Sequence, residues 1–237
     1  MLENSTLTIS PNIIPLDDTF ILYDSNSLLS FCCAYFSLIP IGILMFYLSW
    51  FITTREIEAC IIAGGQVSNE IFNNVVKKII KQPRPAFFGD SFQNNTMRSG
   101  YGMPSAHSQF MGFFFIYFTL TYIRRWNNLT SVKKVLGVAN LACLSAIVCF
   151  SRAYLNYHTI GQVIVGWSLG ACAGSTYYFI IGVLRELGFI NWLLDLWILK
   201  QVYAKDSFNL APFSLRDEYN HYLRRKITTD SRTKKNN

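Results

Sequence analysis

Apolar residues in this chain come in long runs separated by short polar breaks. The first run extends from about Leu28 to Ile52. Two more extend from about Ser105 to Ile123 and from Val135 to Phe150, and a fourth starts at His158 and ends near Leu184. Runs of this length are read as helices able to cross a bilayer. A segment from about Ile57 to Ile80 is different: Gln66, Asn69, Glu70, Asn73, Asn74 and Lys77 recur along it at helical spacing and form one polar stripe. In lipid such a stripe faces protein or a water-filled cavity. Pro83 and Pro85 close this segment. Lys77 and Arg84 are seven residues apart and share a face if helix continues to Pro83. Gly161, Gly166, Gly170 and Gly174 recur in the last run, where small side chains permit close helix contact. Residues 187–203 are apolar but contain Asp195, and read either as a short sixth span or as an interfacial helix.

The pattern predicts an all-α, polytopic membrane helix bundle with five or six membrane helices. Three parts follow: a polar segment over 1–27, a membrane domain over 28–186, and a short apolar helix with a basic tail over 187–237. Composition agrees, since 51% of residues are apolar and only 15% charged. The net charge of +7 sits largely in loops flanking the spans and in the tail, so it speaks for membrane topology and against nucleic-acid binding. Cys32, Cys33, Cys60, Cys143, Cys149 and Cys172 fall in apolar runs without paired spacing and read as small buried hydrophobes. With three histidines and no clustered ligands, neither a metal site nor a cofactor is expected.

The start of the chain is acidic and lacks Lys and Arg, which places it outside and Arg55 inside. The segment from Lys77 to Arg84 is then outside, the turn from Arg124 to Lys134 inside, and Arg152 to His158 outside. Sequons at Asn4 and Asn94 fall outside and one at Asn128 inside. The outer loops break the positive-inside rule, and a functional use for their cations would explain the exception.

Those loops carry the chemistry. Tyr101 to Phe110 reads YGMPSAHSQF. Pro104 suits a first helical turn, backbone N–H groups at a helix start favour an anion, and Ser105 and His107 add a hydroxyl and a titratable proton. Upstream, Lys77 precedes Arg84-Pro85 by seven; Lys78 and Lys81 are rivals for that role, and spacing favours Lys77. Downstream, Ser151-Arg152 is followed by His158. Arg98 is a further cation in the second loop. These three blocks, in this order, resemble the signature of the type 2 phosphatidate phosphatase superfamily, whose helical fold is shared with haloperoxidases. Tyr101–Phe110, Ser151–Thr159 and Asn69-Glu70 are similar to the dolichyl-diphosphate phosphatase family, and the likeness covers roughly residues 54 to 170.

The resemblance implies a metal-free phosphohistidine mechanism. Lys77, Arg84, Ser105 and Arg152 would bind phosphate. His158 would be the nucleophile, and His107 would protonate the leaving oxygen and then help activate water. It also implies dolichyl diphosphate as substrate and the lumenal face of the endoplasmic reticulum membrane as location, with recycling of the glycan carrier for protein N-glycosylation as role. Beyond this lipid substrate and the bilayer itself, it names no partner. Two positions depart from the superfamily pattern. Ala106 stands where glycine is usual, which a negative φ tolerates. Gln162 stands where an Asp usually orients the nucleophilic imidazole; its oxygen still accepts an N–H but brings no charge. A phosphatase or headgroup transferase for another lipid phosphate, or an inactive lipid-binding scaffold, are the alternative readings.

Overall fold

The computed structural model describes residue 21 and residues 26–85, 100–125, 130–208 and 219–228. The sequons at Asn4, Asn94 and Asn128, and Arg98, lie outside the described residues. Helices α1 (Leu28–Phe36) and α2 (Ile39–Thr54) divide the first apolar run. The break falls at Ser37 and Leu38, just ahead of Pro40 in the first turn of α2, where a missing N–H breaks no helical bond. The expected single helix is thus two, although together they still form one apolar stretch long enough to span. Helix α3 (Ile57–Ile80) follows, then α4 (Ala106–Arg125), α5 (Ser131–Tyr154) and α6 (Ile160–Glu186). Helix α3 stops before its prolines, because Lys81 turns left-handed at φ 53°. Helical geometry therefore does not carry Lys77 and Arg84 onto a common face.

Residues 187–203 hold two short helices, α7 (Phe189–Leu194) and α8 (Trp197–Gln201). Six and five residues long, neither reaches the roughly 20 residues that a crossing needs. The first compact unit runs to Lys205 and a second begins at Asp206. In the second, residues 219–228 form a helix with Tyr219, Tyr222, Leu223 and Ile227 exposed beside Arg224, Arg225 and Lys226.

Among the described residues, three stretches are long and apolar enough to cross a membrane: Leu28–Thr54, Ser131–Tyr154 and Ile160–Glu186. Many of their apolar side chains point outward, among them Leu44, Phe46, Leu136, Ile164 and Ile180, as a lipid solvent requires. The chain is a multi-pass membrane protein of helical type.

Gln66, Asn69 and Asn73 of the polar stripe of α3 are buried against α4, whereas Glu70 and Asn74 are exposed. Asn73 Nδ2 donates to Gln109 Oε1 at 2.7 Å, Gln109 Nε2 donates to Asn69 Oδ1 at 2.8 Å, and Gln66 Nε2 donates to the Phe110 carbonyl at 3.4 Å. These bonds form a seam between the two helices. Helices α4 and α6 touch backbone to backbone. A Cβ on Gly170 would lie 1.9 Å from the Gln109 carbonyl oxygen, and one on Gly166 2.6 Å from that of Ser105. From the other side, Gly112 of α4 faces the Trp167 carbonyl. Gly161 has no such neighbour and is not part of the contact.

Candidate active site

The C-terminal ends of α3 and α5 meet the N-terminal ends of α4 and α6, and the three sequence blocks meet with them. Gly102 N–H donates to the Gln82 carbonyl at 2.7 Å, which joins the second block to the first. Ser105 N–H donates to the Gln162 carbonyl at 3.2 Å, which joins the second to the third.

The His158 loop is shaped by Arg152. Its carbonyl accepts N–H groups from both Tyr157, at 3.1 Å, and His158, at 3.3 Å. The chain therefore folds back sharply, with Asn156 at φ 55°. The Arg152 guanidinium, fully buried, lies over the Tyr157 ring at 4.2 Å, a cation–π contact strengthened by exclusion of water. Tyr157 packs in turn with Cys33 of α1 and Leu155. Its part in holding Arg152 was not legible beforehand, because an aromatic in a loop has many ordinary uses.

His158 is 4% exposed. Its Nδ1 lies 2.8 Å from the Gly102 carbonyl oxygen and 3.2 Å from Gln162 Oε1. Both partners only accept, so Nδ1 carries the hydrogen and Nε2 keeps its lone pair. Burial, and then the charges of Arg84 and Arg152, hold the His158 pKa well below the ordinary histidine range; the hydrogen bond to Gln162 opposes this, and Lys77 adds to the lowering. All three sequence-predicted cations thus act on one neutral imidazole.

Pro104 does not occupy the first turn of α4. It precedes the helix by two residues behind a cis bond to Met103, and its carbonyl accepts from Asn73 Nδ2 at 3.4 Å. Ser105 is the residue that opens the helix, since its carbonyl takes the first helical bond, from Gln109 N–H at 2.9 Å. The Ser105 hydroxyl accepts from Ser108 at 3.1 Å and is fully buried, which leaves its own hydrogen to donate. The backbone N–H of Ser105 is engaged by Gln162, so any anion held here meets the N–H groups of the next residues. Ala106 and His107 are the first two residues of α4, and Ala106 has the ordinary helical φ that its side chain needs.

Thr159 caps α6: its hydroxyl accepts from Gln162 N–H and Gln162 Oε1 accepts from Thr159 N–H, each at 3.3 Å. Among the described residues, no group of three His, Cys, Asp or Glu side chains could hold a metal ion.

The family model of the PAP2 superfamily matches residues 58–185. A dolichyldiphosphatase of Saccharomyces cerevisiae is 62% identical over 216 residues, covering 91% of this chain and 90% of the relative. Human dolichyldiphosphatase 1 is 33% identical over 171 residues, covering 69% and 70%. In fold, the chain is similar to a transmembrane PAP2 type phosphatidylglycerolphosphate phosphatase from Bacillus subtilis, with a TM-score of 0.50 at 19% identity over 68% of this chain and 76% of that one. The match spans the helices that bring all three blocks together, and the chain belongs to the dolichyldiphosphatase family of the PAP2 superfamily.

Proposed function

We propose that this chain hydrolyses dolichyl diphosphate to dolichyl phosphate and phosphate through a phosphohistidine on His158. The observation that carries the mechanism is the Nδ1 contact to the Gly102 carbonyl at 2.8 Å, which fixes the tautomer with a free Nε2 lone pair. Nε2 attacks the terminal phosphorus. The bond from that phosphorus to the bridging oxygen breaks, its electron pair leaves with dolichyl phosphate, and His107 protonates the departing oxygen. Water then attacks the phosphorus, His107 takes its proton, and the P–N pair returns to Nε2.

Lys77, Arg84 and Arg152 bind the phosphoryl oxygens, together with Ser105 and the N–H groups of the first turn of α4. The same cations that keep His158 neutral at rest are offset once the anionic phosphoryl group arrives. The phosphorylated imidazole is cationic, and its Nδ1–H keeps the Gly102 and Gln162 acceptors. Since protein cations supply this charge stabilisation, activity is expected to persist in EDTA.

The prenyl chain has a place beside the site. An apolar cavity of about 270 Å³ lies among α4, α5 and α6, lined by residues that include Phe115, Cys149, Val163 and Trp167. Cys149 of its lining precedes Ser151-Arg152, and Val163 follows Gln162, so the cavity lies next to the segments proposed to hold phosphate. The acidic start of the chain favours the non-cytoplasmic side for the site, and the likeness to dolichyldiphosphatases supports the endoplasmic reticulum membrane, so in this reading the site faces the lumen. There the enzyme would recycle the lipid carrier released by glycan transfer. Purified protein should release phosphate from dolichyl diphosphate in preference to phosphatidate. Preference for phosphatidate, or strict dependence on added magnesium, would sink this reading.

A further inference from the structure

The side chain of Gln162 does more than accept from His158. It is 1% exposed, and every polar atom is engaged. Nε2 donates to the Pro83 carbonyl at 2.9 Å. Oε1 accepts from Thr159 N–H at 3.3 Å and lies 3.2 Å from His158 Nδ1. The orientation of the amide follows from partners that cannot exchange roles. A backbone N–H only donates, so Thr159 must meet the oxygen; a proline carbonyl only accepts, so Pro83 must meet the NH₂. The backbone carbonyl of the same residue holds Ser105 N–H. One residue therefore bonds to all three blocks, and its NH₂ group grips the segment that carries Arg84.

We infer that Gln162 is a positioning residue for both the nucleophile and the Arg84 segment, and that the donor half of its amide is the part the site requires. The inference rests on the proposed mechanism. A carboxylate in its place would keep the acceptor for Nδ1–H but would set a negative oxygen against the Pro83 carbonyl. In this chain a restored charge would disrupt the site rather than strengthen it. The Gly102 carbonyl already takes the Nδ1–H at the shorter distance, which leaves the residue at 162 available for its second task. Gly102 itself fits this arrangement. A Cβ there would lie 2.7 Å from Gln162 Nε2 and 2.9 Å from the Pro83 oxygen, inside contact distance of both ends of that hydrogen bond.

The test uses full-length purified protein with dolichyl diphosphate. It measures kcat and KM from about pH 5 to about pH 8, a range that brackets histidine titration. The charged and titratable groups around the introduced carboxyl are His158, Arg84, Arg152 of α5 and Lys77 of α3. At neutral pH, Gln162→Glu should lose roughly 10–100-fold in kcat/KM, the scale of an unmet buried hydrogen bond. KM should rise, because the Arg84 segment is loosened, and kcat should fall. Below the pKa of the introduced carboxyl, which burial raises and the neighbouring cations lower, it can donate to the Pro83 carbonyl again, and the deficit relative to the unaltered enzyme should narrow. Gln162→Met, of similar size, should be deficient at every pH.

Equal or higher neutral activity of Gln162→Glu would overturn the inference, and so would unchanged kinetics of Gln162→Met. If Gln162→Glu does not accumulate as folded protein, Gly102→Ala carries the test. Its Cβ displaces the same amide, and unchanged kcat/KM there would overturn the inference. Failure of the unaltered enzyme to hydrolyse dolichyl diphosphate would instead strike the proposed function.

Discussion

The two ends of the helix bundle treat charge in opposite ways. At the end where α3 begins, Glu58 forms an ion pair with Arg185 of α6, and both side chains are almost fully buried, at 3% and 8% exposure. Tyr117 O–H of α4 donates to the same carboxylate at 2.8 Å. The anion at the start of one helix and the cation at the end of another also suit their helix dipoles. Near the other end of α3, about 28 Å away by helical rise, Lys77 joins Arg84 and Arg152 around a neutral histidine. One end matches its charges internally and ties three helices together. The other brings like charges together, and in the proposed mechanism the substrate brings the anion that offsets them. A separation close to the thickness of a bilayer core sets a structural clamp at one end and the proposed site for an anionic lipid head at the other.

The sharpest way to break this comparison is at His158. His158→Ala should reduce turnover to background with every lipid phosphate, at a stability cost of about 1–3 kcal/mol for the lost buried hydrogen bond to the Gly102 carbonyl. His107→Ala should cost about 10²–10⁴-fold in steady-state turnover, the usual effect of removing a positioned acid/base. Most of that loss should fall on hydrolysis of the intermediate, since a diphosphate leaves with little help.

The opposite end should respond in stability alone. Glu58→Gln leaves Arg185 buried without its carboxylate and should destabilise the fold by about 3–5 kcal/mol, read as a lower Tm in detergent, with kcat of the folded fraction unchanged. A large kcat effect there would show that the two ends are coupled. The smallest effect concerns pH. Because the His158 pKa is held below its ordinary range, neutral nucleophile persists as pH falls through that range, and kcat/KM should not follow an ordinary histidine titration. Arg84→Gln removes one of the charges that lower this pKa, so the acid limb should move to higher pH, beside a rise in KM.

Much of the candidate site could be read from side-chain types at fixed spacing, together with the family resemblance they carry. Lys77, Arg84, Ser105, His107, Arg152 and His158 were singled out in this way, and the fold gathers their three segments. The glycines at 166, 170 and 174 announced close helix contact, but Gly112, which completes it from α4, carried no periodic signal. Backbone partners were hidden as well. Every residue has a carbonyl, so nothing in the sequence marks those of Pro83, Gly102 and Arg152 as the ones that orient Gln162 and His158. The break between α1 and α2 was missed because hydrophobicity alone does not register a local turn within an apolar run, although Pro40 was a cue. The left-handed turn at Lys81 had no comparable cue, since lysine has no preference for that conformation.

The central claim is that His158 carries the phosphoryl group, and trapping the intermediate tests it most directly. The His107→Ala protein, mixed with dolichyl diphosphate labelled in the terminal phosphate and quenched in base, should hold an acid-labile label on His158. The His158→Ala protein should hold none. Label retained by His158→Ala, or found on another residue of His107→Ala, would contradict the mechanism.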